Sequence, residues 1–270
     1  MGMRLGGSSG MRMAMQIAQK RVFKDYRKDI VLDTRQIKVA LKRLKKFELA
    51  SGELAGVPVV LARTGYTGEE VGFEIFLSPE KAPEIWNTLL EAGKEYGLVP
   101  AGLGARDSLR IEAGFPLHGY ELAGSHQISP IEAGYGSYVK LHKPFFVGRH
   151  SCLEAHQKRN RSLVRFEVNK KGGKVLREGN PVLAGRKGTY SGVVTSATIT
   201  PHRQVGLALI DSKYAKEGNQ LYILPITKED KQPPARSPFD LSSGDWMTIP
   251  RRATILPRFM RAGEKPLEGC

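Results

Sequence analysis

The chain has 270 residues, 40% of them hydrophobic, and a formal net charge of +15. That is enough apolar content to bury one or two cores, but no uninterrupted apolar run approaches the length of a membrane span, which argues against a bilayer-crossing role. The two cysteines, Cys152 and Cys270, stand far apart and outside any CxxC pair, which excludes a disulfide framework and favours a reducing compartment.

Charge is concentrated at the start of the chain. Residues 1–49 hold 13 Lys or Arg against 4 acids, so the remaining body is nearly balanced. Met11, Met15, Ala18 and Val22 recur at helical spacing. After Asp33 and Thr34 as caps, Ile37, Ala40, Leu41 and Leu44 form a second stripe opposite Lys38, Lys42, Arg43 and Lys45. A basic amphipathic segment suits RNA phosphates, an anionic membrane or a targeting peptide. A solvated helix with its apolar side on the body explains the same pattern, so neither nucleic acid nor membrane is the expected partner.

The middle of the chain follows an α+β rhythm. Val57–Leu61 and Phe73–Leu77 read as strands flanking the glycine-rich turn of GYTGEEVGFE. Pro79 then opens a helix that would turn Ala82, Trp86, Leu89 and Leu90 toward a sheet, and another helix begins near Ala105 with Arg106 in its first turn. Residues 50–155 are therefore expected to form an antiparallel-sheet α/β layer domain. Past a polar, basic connection at His156–Ser162, Leu163–Val168, Ser191–Thr195, Val205–Ile210 and Leu221–Leu224 form short strands between glycine turns. That is the pattern of a small antiparallel β-barrel over residues 156–225. Residues 226–270, rich in Pro, Ser and charge, are expected to be an irregular, poorly ordered tail that leaves the barrel one strand short and an edge exposed.

Three residues carry the strongest chemical signal. Glu74 follows the glycine turn, and a carboxylate accepts two parallel N–H bonds from an amidine-like edge such as a pterin or guanine presents. Arg106 offers a planar fork for Asp107 or a ligand carboxylate, and Tyr66 lies between Gly65 and Gly68, where missing side chains let a ring approach the backbone. Taken singly, a strand Glu is usually solvated and an Arg-Asp neighbour pair usually structural. Other candidates are weaker. His150, Cys152 and His156 do not converge on one helical face, so no metal is assigned. The adjacent Ser125 and His126 lack a nucleophile elbow, His118 reads as a core or loop histidine, and no phosphate-binding glycine loop is present.

In order, ARTGYTGEEVGFEIF, AGLGARDSLRIEAGFPLHGYEL and SPIEAGYGSYVKL resemble the aminomethyltransferase, or T-protein, of the glycine cleavage system, over roughly residues 54–225. The resemblance implies a three-domain fold around a tetrahydrofolate cleft. It also implies transfer of a methylene unit from an aminomethyl-lipoyl carrier protein to tetrahydrofolate with release of ammonia, in the cytoplasm or the mitochondrial matrix. Residue by residue, Glu74 matches the family's pterin-binding glutamate, Arg106 its folate-contacting arginine and Tyr66 the tyrosine of its GYTGE turn. There are departures. GEEVGFE has one residue more than the usual GEDGFE, and Ser137 replaces the tryptophan of GLGW, leaving Tyr135 or Tyr138 as the nearby ring. Nothing in the first 64 residues resembles the segment around the family's catalytic aspartate, since Asp25, Asp29 and Asp33 lie in a basic helical context. No catalytic residue is assigned, and the chain is expected to be the C-terminal portion of such an enzyme, lacking an N-terminal half, or alternatively a non-catalytic folate-binding module.

Overall fold

The computed structural model describes residues 44–158, 160–170, 172–185, 188–200, 203–226 and 249–260. The helices expected in the basic segment, and much of the tail, lie outside the described residues. The chain packs as two units divided between Asp107 and Ser108.

In the first unit, strands β1 (Leu49–Leu54), β2 (Val57–Ala62) and β3 (Glu74–Phe76) form an antiparallel sheet in that order. β1 was not anticipated, because LASGEL mixes small and polar residues. Its partner supplies the missing signal: Leu49 faces Ala62 and Leu54 faces Val57 across a tight turn, with Ala55 at φ 50° and Gly56 at φ 76°. Positive φ at both central residues matches the strand twist, and glycine adopts it without steric cost. One face of the sheet carries Ala50, Val57, Val59, Leu61 and Ile75, and around it Leu44 and Ala50 pack with Leu61 and Phe73. Glu74 pairs with Ala62 on the opposite face. A 3-10 turn at Pro79–Lys81 leads into α1 (Ala82–Gly93). The expected inward stripe is corrected at one position: Ile85 is the buried residue of α1, while Trp86 is 40% exposed. Ala82, Ile85 and Leu89 share a stripe at spacings of three and four, and Trp86 points off it.

Helix α2 (Leu103–Ala113) is exposed in its first turns and buried from Arg110 onward. The second unit continues with α3 (Arg149–Lys158), which occupies the start of the expected connection, and then β4 (Arg161–Val168), β5 (Pro181–Ala184), β6 (Thr189–Ile199), β7 (Gln204–Asp211), β8 (Gln220–Ile223) and β9 (Arg251–Leu256). These six strands close an antiparallel barrel in the order β4-β7-β6-β5-β8-β9. Phe166, Val182, Val194, Leu221, Ile223 and Ala253 are fully buried in its core. Gly206 is required there, since a Cβ would stand 2.5 Å from the Phe166 ring.

The barrel runs past the expected limit at 225. β9 lies inside the supposed tail and pairs with both β4 and β8, so the exposed edge expected for an incomplete barrel is not found. Arg251, Arg252 and Thr254 hide it in the composition, yet Ala253 and Ile255 alternate with them and are buried. The unit also begins earlier than a boundary at 155 would put it. Arg110, buried in α2, contacts Glu121 at 3.1 Å and donates to Ser196 Oγ on β6 at 3.0 Å, and Arg203 bridges Glu112 and Glu167 at 3.1 and 2.8 Å. These bonds tie residues from 108 onward to the barrel wall.

Candidate functional site

The three singled-out residues all lie in the first unit. Glu74 opens β3, where its register against Ala62 fixes the direction of its side chain. The chain reaches it through a loop pinched at its neck: a Cβ on Gly72 would lie 3.3 Å from Thr64 O, and one on Gly65 would lie 3.9 Å from the Gly72 Cα. Gly68 turns the loop tip at φ 89°. Gly65 and Gly68 were expected to admit a ring to the backbone; at Gly65 an added Cβ would make only an ordinary contact with the other arm of the loop. Gly72, which the sequence reading passed over, is the tighter position of the pair.

The Glu74 carboxylate is half-buried, and its Oε2 is shielded from water with no hydrogen-bond partner among the described residues. Burial pushes its pKa above the ordinary carboxylate value, and the nearby Arg106 guanidinium pulls it back down. Arg106 is exposed in the first turn of α2, its N–H donating to Gly102 O at 3.2 Å. Its guanidinium stands 5.9 Å from the centroid of the half-buried Tyr66 ring, a cation–π approach. Carboxylate, guanidinium and phenol ring therefore converge, as their spacing in the sequence suggested. An orphaned carboxylate oxygen costs about 1–3 kcal/mol in lost solvation, and a ligand bearing N–H donors would recover it. Arg63, also passed over, directly follows β2 at the entry to the loop. It donates from Nη1 to Leu44 O at 2.5 Å, while its Nε is buried without a partner among the described residues. The signal that could have found it is its place directly before TGYTGE.

The other candidates lie in the second unit. Ser137 is exposed, and its carbonyl accepts from Lys140 Nζ at 2.7 Å. Tyr138 is 58% exposed and packs edge-on at 6.1 Å against Tyr135, whose phenol burial pushes up to about 12 and whose ring lies 5.2 Å from Phe259. His150 pairs with Glu154 at 3.1 Å on α3, and among the described residues no cluster of His, Cys, Asp and Glu is placed to hold a metal ion.

Residues 28–143 match the GCVT N-terminal domain family, and residues 161–239 match the glycine cleavage T-protein C-terminal barrel domain. The chain belongs to the glycine cleavage T-protein family. Its match begins inside the basic segment that was expected to stand apart. An aminomethyltransferase of Caldanaerobacter subterraneus is 47% identical over 175 residues, covering 64% of this chain and 45% of that protein. One from Lysinibacillus sphaericus is 45% identical over 192 residues, 69% of this chain and 50% of the relative. The solved aminomethyltransferase T of the Bartonella henselae glycine cleavage system superposes with a TM-score of 0.60 at 25% identity, covering 80% of this chain and 52% of that one. The T-protein barrel reported above thus agrees with sequence and fold comparison alike, while the chain spans about half the length of the curated relatives it matches.

Proposed function

We propose that this T-protein family chain binds tetrahydrofolate through Glu74, Arg106 and Tyr66 and serves aminomethyl transfer in glycine cleavage. The observation that carries the reading is the orphaned Oε2 of Glu74, a shielded acceptor of the kind a pterin's N–H edge satisfies. Arg106 opposes the upward shift that burial gives that carboxylate, and it offers its own donors to a ligand carboxylate. Tyr66 supplies a ring wall for a flat heterocycle. Bound tetrahydrofolate would contribute the nucleophilic nitrogen that takes up the one-carbon unit, and the chain's part is to orient it. The expected partner is the lipoyl carrier protein bearing the aminomethyl arm.

Titration calorimetry with tetrahydrofolate tests this. The wild-type chain binds, and Glu74→Gln weakens binding by about tenfold or more, since a charge-assisted bond contributes about 1.5–3 kcal/mol. No heat with wild type, or equal affinity for both, overturns the reading. A second reading is a folate-binding module without transfer activity, which would hold its ligand through the same Glu74, Arg106 and Tyr66. Ammonia release from aminomethyl-lipoyl carrier separates the two: it is present for the enzyme and absent for the module.

A further inference from the structure

The first unit exposes an uncharged ridge that the Glu74 site leaves unused. Residues 98–105 include no charged side chain, and every one of them is exposed. Leu98 is 50%, Val99 73% and Leu103 66% exposed, and Tyr96, just before the ridge, is 81% exposed. The ridge is firmly built. α1 passes through a 3-10 turn at Lys94–Tyr96 and ends on Gly97 at φ 75°, after which the Leu98 N–H returns to Gly93 O at 3.0 Å. A Cβ on Gly93 would stand 2.4 Å from the Leu98 side chain, so Leu98 lies across the helix end. A contiguous apolar surface held open to water in this way marks an interaction site.

Charge selects the occupant. Residues 44–107 hold 6 Lys or Arg against 10 acids, and Glu91 and Glu95 lie just ahead of the ridge in the chain. A second copy would bring the same negative unit, and nucleic acid or an anionic membrane would add further negative charge. Residues 11–24 of this chain, outside the described residues, have the opposite character. They carry Arg12, Lys20, Arg21 and Lys24 without an acid, together with the stripe of Met11, Met15, Ala18 and Val22. Methionine is unbranched and moulds itself to irregular apolar surface. Length allows the approach. The described chain opens at Leu44, whose carbonyl accepts from Arg63 Nη1 in the first unit. The residues between Lys24 and Leu44 span roughly 28 Å even at the short rise of a helix, about the diameter of a small domain. We infer that residues 11–24 dock on the ridge, their apolar stripe against Leu98, Val99 and Leu103 and their cations drawn to Glu91 and Glu95. The docking is independent of the folate reading, since Glu74 and Tyr66 take no part in it.

Limited thermolysin digestion of the full chain tests this, with cleavage between residues 11 and 24 followed by mass spectrometry. When opening is fast relative to cleavage, the rate reports the open population. Wild type is cut there about tenfold or more slowly than a synthetic peptide of residues 1–43, and raising salt speeds the cut. Val99→Ser with Leu103→Ser brings the rate close to that of the peptide. Lys20→Glu with Lys24→Glu does the same from the other side of the contact, with the ridge untouched. Circular dichroism of both variants matches wild type, because the substituted ridge residues are exposed. Wild-type cleavage as fast as that of the peptide overturns the proposal, and so does full protection retained by both variants. Protection that grows with protein concentration would assign the ridge to a second copy and overturn it likewise.

Discussion

At the scale of single residues, the Glu74 carboxylate sets the pH behaviour. Its folded pKa is raised, so the folded chain holds a proton more tightly than the unfolded one. The stability this contributes is fully present below the unfolded value near ~4.3 and is lost as pH rises through the raised folded value. Glu74→Gln should therefore stabilise the chain relative to wild type at neutral pH, with the gain shrinking as pH falls toward that window; paired thermal melts across the range check the sign. A ligand that donates N–H bonds to the carboxylate reverses the shift. Tetrahydrofolate binding measured inside the window should release protons, visible as a heat that depends on the buffer's ionisation enthalpy, and Glu74→Gln should abolish that dependence. The proximity of these three side chains was legible because GYTGEEVGFE and GLGARDS place a carboxylate, a ring and a guanidinium on a strand, a turn and a helix start. What was not legible was why the loop holds them: the approach of Gly65 to Gly72 joins two arms seven residues apart, which no local pattern encodes. Nor did the sequence tell Tyr135 from Tyr138 near Ser137, since the more buried Tyr135 packs against Phe259, more than a hundred residues onward.

At the scale of elements, the joint between α2 and the barrel is polar and buried. Arg110 is 2% and Glu121 0% exposed; Glu121 also accepts from Leu117 N at 2.8 Å and from the Ser196 hydroxyl. Removing one member of a buried ion pair strands the other, at a cost of about 3–5 kcal/mol. Glu121→Gln should thus lower the melting temperature sharply. Adding Arg110→Met to it should cost less than the sum of the single changes, because neither charge of this pair is then left buried without the other; a double-mutant cycle in urea checks this. The turn after α2 is as demanding. Gly114 sits at φ 84°, and a Cβ there would stand 2.3 Å from Arg258 O, beside an Arg258 side chain that bonds Gly114 O and Ala133 O. Gly114→Ala should destabilise by at least about 1–3 kcal/mol from backbone conformation alone. Elements with a strong period, such as β4 and β7, could be read from the sequence nearly to their ends. β1 and β5 could not, because LASGEL and PVLA are too short or too mixed to rise above a loop, and their neighbours across the sheet decide them.

At the scale of the whole molecule, closure of the barrel depends on a strand that composition disguised. β9 pairs with β4 through Arg165 to Val168 and with β8 through Gln220 to Ile223, and it seats Ala253 and Ile255 in the core. Three of its six residues are polar or charged, and it follows a Pro- and Ser-rich stretch, so a reading by composition assigns it to the tail. Only the positions it must fill, between two strands already placed, reveal it. The consequence can be tested by shortening. A chain ending at Ile226 would leave β4 and β8 with open hydrogen-bonding edges and uncover the barrel core at Phe166 and Leu221. Unpaired edges recruit other strands, so the shortened chain should elute as soluble oligomers or aggregate in size-exclusion chromatography, with raised binding of a hydrophobic dye. Ile255→Asp in the full chain separates lost pairing from lost core packing. It keeps the backbone ladder but buries a carboxylate, so it should lower the melting temperature while leaving fewer aggregates than the truncation does. If the truncated chain instead remains monomeric and melts as the full chain does, β9 contributes nothing to closure, and the barrel would be complete with five strands.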